Sequence, residues 1–188
     1  MEPLLTSFVA AALAEWGAKT QLLAIALAAR YRRPLPILLG IALAAAANCL
    51  IAAYAGSLIH DRVPLRALAL LTAMALLFAG VEGLFPARHK EMGETWRTGP
   101  FVTTAACFFL LEFGDRTQFI TAALSARFDA FALAGAGAAA GVLISSVPAV
   151  LLGRRLEKDA PLRAIRLGTG ILFLIAAFIV AINALRLV

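Results

Sequence analysis

Stretches of roughly 20 apolar residues recur from one end of this chain to the other, each long enough to cross the hydrocarbon layer of a bilayer. No water-soluble core absorbs that much apolar surface. Of the 188 residues, 62% are hydrophobic and 15% charged, and the mean hydropathy is +0.90; a soluble domain carries about a quarter charged residues. Proline and charge divide the chain into six apolar spans, near residues 4–29, 35–58, 64–85, 101–126, 130–152 and 164–186. Pro34, Pro64, Pro100 and Pro161 stand at or near span starts, where a missing N–H does little harm.

A single offset of 97 residues relates the two halves. It lays Glu15-Trp16-Gly17-Ala18-Lys19-Thr20-Gln21 over Glu112-Phe113-Gly114-Asp115-Arg116-Thr117-Gln118. It also superimposes Arg30 on Arg127, Gly56 on Gly153, and Pro64-Leu65-Arg66-Ala67 on Pro161-Leu162-Arg163-Ala164. Four separated matches at one shift indicate an internal repeat. Three spans per half is an odd number, so the second half must enter the membrane inverted, the plan of many secondary transporters. The expected architecture is therefore an all-α integral membrane protein of six transmembrane helices in two inverted three-helix repeats. Residues 1–85 form the first repeat, 86–100 a connecting loop (a short surface helix or a loop), and 101–188 the second repeat.

Basic residues orient the chain. Arg30, Arg32, Arg33, Arg88, Lys90, Arg97, Arg154, Arg155, Lys158, Arg163 and Arg166 fall on one side of the spans; Arg62, Arg66, Arg127 and Arg186 fall on the other. The positive-inside rule puts the richer side, with the connecting loop, in the cytoplasm and both termini outside it. In such a chain the net charge of +6 speaks to topology, and nucleic acid is not an expected partner. Cys49 and Cys107 lie inside apolar spans and read as small packing residues rather than a disulfide or metal pair. Met1-Glu2-Pro3 lacks the positive n-region of a secretory signal, so the first span reads as a mature helix. The small size, the absence of a targeting sequence and the preponderance of Arg over Lys suggest a bacterial inner membrane.

Two spans break their apolar runs with charge. Glu15 and Lys19 lie near the middle of the first; Glu112, Asp115 and Arg116 lie near the middle of the fourth. Ionised groups at that depth cost several kcal/mol unless paired or hydrated, and they mark ion or proton pathways. Spacings of three and four bring Glu112, Asp115 and Arg116 onto one helix face, and Glu15 and Lys19 onto another. Gly17 and Gly114 permit close helix approach or a local break. Symmetry would gather Glu15, Glu112 and Asp115 into a carboxylate cage at the bilayer centre, with Thr20, Gln21, Thr117 and Gln118 supplying further oxygens. Such a donor set suits a hard divalent cation, Mn²⁺ or Ca²⁺, and protonation of a buried carboxylate would compete with the cation. Lys19 and Arg116 would act as internal counter-cations.

The two copies resemble the E-x-G-D-(K/R)-(T/S) signature of the transmembrane protein 165 family, and the resemblance covers nearly the whole chain. It implies a transporter of Mn²⁺ or Ca²⁺ in exchange for protons. The motif acids would form the cation site, at Glu15, Lys19 and Thr20 in the first copy and Glu112, Asp115, Arg116 and Thr117 in the second. Ala18 departs from the pattern, which has Asp there.

The remaining polar residues are read more plainly. Asn48, and Ser145 and Ser146, line the path or make helix–helix hydrogen bonds. Glu82 is a vestibule acid or snorkels to water. Gly137 and Gly141 form a packing face, and His60-Asp61 and His89 are solvated loop residues. The function expected is export of a divalent cation, Mn²⁺ before Ca²⁺, against protons, with no resident cofactor. The partners are the cation, protons and the lipid bilayer, and a homodimer is an assembly the sequence permits. The alternatives are an exporter of a small organic solute such as an amino acid, and an intramembrane enzyme. The lack of a nucleotide-binding motif argues against a primary pump, and the lack of His in the spans or of a Ser–Lys pair argues against an enzyme.

Overall fold

The computed structural model describes residues 1–86, 96, 98–153, 155 and 161–185. Most of the connecting loop, with His89, Arg88, Lys90 and Arg97, lies outside these residues, as do Arg154, Lys158 and Arg186. The described residues form eight α-helices and no strand. They are α1 (Glu2–Glu15), α2 (Lys19–Tyr31), α3 (Pro34–His60), α4 (Leu65–Leu84), α5 (Pro100–Glu112), α6 (Arg116–Phe128), α7 (Phe131–Leu152) and α8 (Leu162–Leu185). Four of them, α3, α4, α7 and α8, are long and apolar enough to cross a bilayer.

The segments expected as the first and fourth spans are not continuous helices. Each divides into two, of 14 and 13 residues in the first half and 13 and 13 in the second, and none of these pieces is long enough to span alone. The 97-residue offset carries through to the helix boundaries: α2, α3 and α4 begin at 19, 34 and 65, and α6, α7 and α8 begin at 116, 131 and 162.

Packing interleaves the halves. The first broken piece, α1, lies along α7, and its counterpart α5 lies along α3. Small residues make these contacts close. A Cβ on Gly40 of α3 would come within 2.8 Å of the Phe101 carbonyl oxygen of α5. At the equivalent place Gly137 of α7 meets the Leu4 carbonyl of α1, and Gly141 meets Ala12 one turn on. The small-residue face on α7 is thus a packing face. The last helices of the two halves, α4 and α8, pack antiparallel: the Arg66 guanidinium near the start of α4 donates to the carbonyls of Ala184 (2.7 Å) and Leu185 (2.9 Å) at the end of α8. At the opposite end, Gly83 of α4 meets Gly170 of α8. A cation on the last carbonyls of a helix satisfies acceptors that have no partner within it.

Large apolar side chains point outward. Leu35, Leu39, Leu43 and Leu58 of α3 and Ile171, Ile175 and Phe178 of α8 are exposed, while Glu15, Glu112, Asp115 and Arg116 are buried. In water that distribution would be unfavourable; against lipid it is the stable one. Cys49 and Cys107 are buried and free, on different helices. His60 departs from the solvated reading: its Nδ1 sits 2.6 Å from the Ala126 carbonyl oxygen near the end of α6.

Candidate cation site

The site is built on the two helix breaks. Trp16 leaves the helical region (φ −67°, ψ 123°), Gly17 turns to φ +72°, Ala18 is extended, and α2 starts at Lys19. Phe113 (φ −62°, ψ 120°), Gly114 (φ +74°) and Asp115 repeat the path before α6. A positive φ is inexpensive for glycine alone, so these two positions fix where the helices stop. Each break satisfies its own backbone. The Gly17 N–H donates to Gln21 Oε1 at 2.9 Å, and the Gly114 N–H to Gln118 Oε1 at 2.8 Å. The Ala18 N–H donates to the Glu15 carbonyl, as the Asp115 N–H does to the Glu112 carbonyl. Gln21 and Gln118 are therefore caps, and each also reaches the other half. Gln21 Nε2 donates to the Ser145 carbonyl (3.4 Å), and Gln118 Nε2 to the Asn48 carbonyl (3.4 Å) and to Asn48 Oδ1 (3.0 Å).

The carboxylates lie where the breaks meet. Glu15, 2% exposed, accepts hydrogen bonds from Thr20 in its own half and from Thr117 Oγ1 of the other half at 2.6 Å. Glu112, 1% exposed, accepts from Asn48 Nδ2 on α3 at 3.2 Å, and its second oxygen is buried with no partner among the described residues. Asp115 Oδ1 pairs with Lys19 Nζ at 3.0 Å across the two halves. Arg116 donates to the Ala14 carbonyl at the end of α1, where a helix presents unsatisfied carbonyls and partial negative charge.

All ten residues singled out from the sequence thus fall in or beside one polar layer. They do not close into a coordination cage: among the described residues no three acidic, His or Cys side chains are grouped closely enough to hold a metal ion. Ser145 and Ser146 turn their hydroxyls back onto the Val142 carbonyl at 2.8 Å, so it is the backbone of Ser145 that serves the site.

Arg166 is a correction to the sequence reading, which placed it in a basic loop. It lies inside α8, 9% exposed, with Nε donating to the Gly83 carbonyl of α4 at 3.3 Å. Its side chain fills the space a Cβ on Gly17 would need, 2.8 Å from Arg166 Cβ. The position of Arg166 one turn after Pro161 was the signal that could have placed it in the helix. Glu82 is half-buried, with one carboxylate oxygen sealed from solvent and unpartnered among the described residues, so it does not snorkel freely to water.

The family model for the divalent cation/proton antiporter GDT1 matches this chain over residues 3–91 and again over 100–187. The chain belongs to the GDT1 family of divalent cation/proton antiporters. The double match covers both halves of the chain. A relative from Vibrio cholerae serotype O1, named "Putative manganese exporter", is 37% identical over 182 residues, covering 96% of this chain and 91% of its own length. No solved structure matches the chain. As a GDT1-family chain it is a membrane transporter with a divalent cation and protons as substrates, and not an enzyme.

Proposed function

We propose that the chain exports Mn²⁺ from the bacterial cytoplasm in exchange for protons, through alternating access at the layer where the two helix breaks meet. In this reading α1 with α2, and α5 with α6, each cross the membrane as one broken helix, which gives six spans in two inverted repeats. The antiparallel packing of the equivalent helices α4 and α8 supports the inversion. The name of the Vibrio cholerae relative supports Mn²⁺ over Ca²⁺ and outward transport. Basic residues concentrated on one side support a cytoplasmic connector and outward-facing termini.

The observation that carries the reading is Glu15, a buried carboxylate on which hydroxyls from both breaks converge. Discontinuous helices crossing near the midplane are the common device for binding ions in transporters, because broken backbone supplies polar groups where lipid allows none. A divalent cation entering this layer is held by Glu15, Glu112 and Asp115, with hydroxyl and amide oxygens of Thr20, Thr117 and Asn48 within the same network. Asp115 becomes available when Lys19 gives it up. Protons arriving from the far side neutralise the carboxylates and release the cation, so that each proton taken up removes charge the metal needs.

The test is Mn²⁺ and Ca²⁺ flux in proteoliposomes under an imposed pH gradient, with wild type beside Glu112→Gln. Gradient-driven Mn²⁺ movement that is lost in the variant supports the exchanger and its site. Correctly inserted wild-type protein that moves neither ion would remove it.

A further inference from the structure

Three of the positions at which the two halves differ in charge lie close together. The first is Ala18, where the second repeat has Asp115. The second is Glu82, whose counterpart at the 97-residue offset is Ile179. The third is Arg166, whose counterpart is Ala69. Lys19 of the first break has its acid, Asp115, at 3.0 Å. Symmetry assigns Arg116 of the second break an acid at position 18, and alanine stands there. Arg116 is 4% exposed, and its Nε has no partner among the described residues. A buried guanidinium N–H without an acceptor is costly and is rarely left so.

Glu82 is the complementary orphan. Its Oε2 is buried and unpartnered among the described residues, and its helix α4 packs against α6, which begins at Arg116. A continuous path of contacts joins it to the first break: Glu82 precedes Gly83, the Gly83 carbonyl accepts from Arg166, and Arg166 packs on Gly17 beside Ala18. We propose that Glu82 supplies, from α4, the carboxylate that the first break lacks at position 18. It is a positioning residue. It holds Arg116 by charge when Arg116 leaves the Ala14 carbonyl, and so keeps Arg116 from occupying the acids that must receive the cation. The inference rests on the transport reading above for its flux consequence, and on the two unpartnered atoms and the packing of α4 on α6 for the pairing.

The test compares wild type with E82Q, E82D and the double variant A18D/E82Q in Mn²⁺ flux under a pH gradient. E82Q is expected to raise KM for Mn²⁺ roughly tenfold, the equivalent of about 1.4 kcal/mol. E82D should retain most of the activity, and A18D should restore it to E82Q by returning the acid to its symmetric place. Wild-type KM in E82Q, or no recovery in a folded A18D/E82Q, overturns the proposal. Should E82Q not survive purification, a monodisperse A18D/E82Q supports the replacement, and its failure as well counts against it. If the wild type moves no Mn²⁺ at all, the transport reading falls while the pairing is still decided by thermal melting of E82Q, R116Q and E82Q/R116Q. Losses of Tm that are less than additive support the pair; additive losses overturn it.

Discussion

Lys19 Nζ and Asp115 Oδ1 stand 3.0 Å apart, and each belongs to a different half of the chain. The lysine begins α2 and the aspartate immediately precedes α6, so the ion pair ties one helix break to the other. Asp115 is 3% exposed and Lys19 32%, which makes the pair asymmetric: the acid is sealed inside the protein and the lysine is partly open.

In the proposed cycle Lys19 competes with the cargo for Asp115, so K19Q should tighten the site. A pair open to solvent on one side is worth little, so the expected fall in KM for Mn²⁺ is about threefold. Slower release should accompany it, seen as a lower Vmax in the same flux assay. An increased KM with unchanged Vmax would show instead that Lys19 helps to build the site.

Thr117 reaches Glu15 across the repeat boundary at 2.6 Å. T117V keeps the shape and removes the donor, leaving a buried carboxylate short of one hydrogen bond, a loss of about 1.5–3 kcal/mol. Mn²⁺ transport should fall about tenfold or more, and T117S should recover it. Equal activity in T117V and wild type would exclude a role for the hydroxyl.

Gly17 and Gly114 share a positive φ but not their surroundings. A Cβ on Gly114 meets nothing within 4 Å, whereas one on Gly17 lies 2.8 Å from Arg166 Cβ and 2.9 Å from the Leu162 carbonyl oxygen. G114A should lose about 1–2 kcal/mol from backbone strain alone. G17A should lose clearly more, because α8 must shift as well. Thermal melting of the two purified variants measures the difference, and equal losses would contradict the contact with α8.

Cys49 and Cys107 are 1% and 0% exposed. In the folded protein both thiols should resist a water-soluble maleimide, and both should label after denaturation in detergent. Rapid modification of either before denaturation would place it on a hydrated path.

The architecture was legible to different depths at different residues. The offset that pairs Glu15 with Glu112 also predicts where helices begin, because the same local chemistry, proline at a start and Gly-x-x-x-Gln at a break, folds the same way twice. The sequence named Gly17 and Gly114 but left open whether they served packing or a break; φ near +70° decides for the break. Arg166 was misplaced for a physical reason. Counting basic residues treats every arginine near a span end as solvated, and only a partner such as the Gly83 carbonyl reveals one turned inward. Glu82 was ambiguous likewise, since snorkelling depends on what stands between a side chain and water. Which threonine serves which acid could not be read from symmetry, because both hydroxyls choose Glu15 and leave Glu112 to Asn48.

The exchange of α1 and α5 between halves reaches beyond the site. Each half, taken alone, presents a long helix with a seam of glycine and alanine whose natural occupant belongs to the other half. Each half therefore lacks, on its own, the helix that fills its seam. Two separately made halves should find each other in a membrane only if they insert with opposite orientations, since the seam on α3 accepts α5 running parallel to it. The parallel pairing of α5 with α3 and of α1 with α7 is thus an assembly rule for the chain.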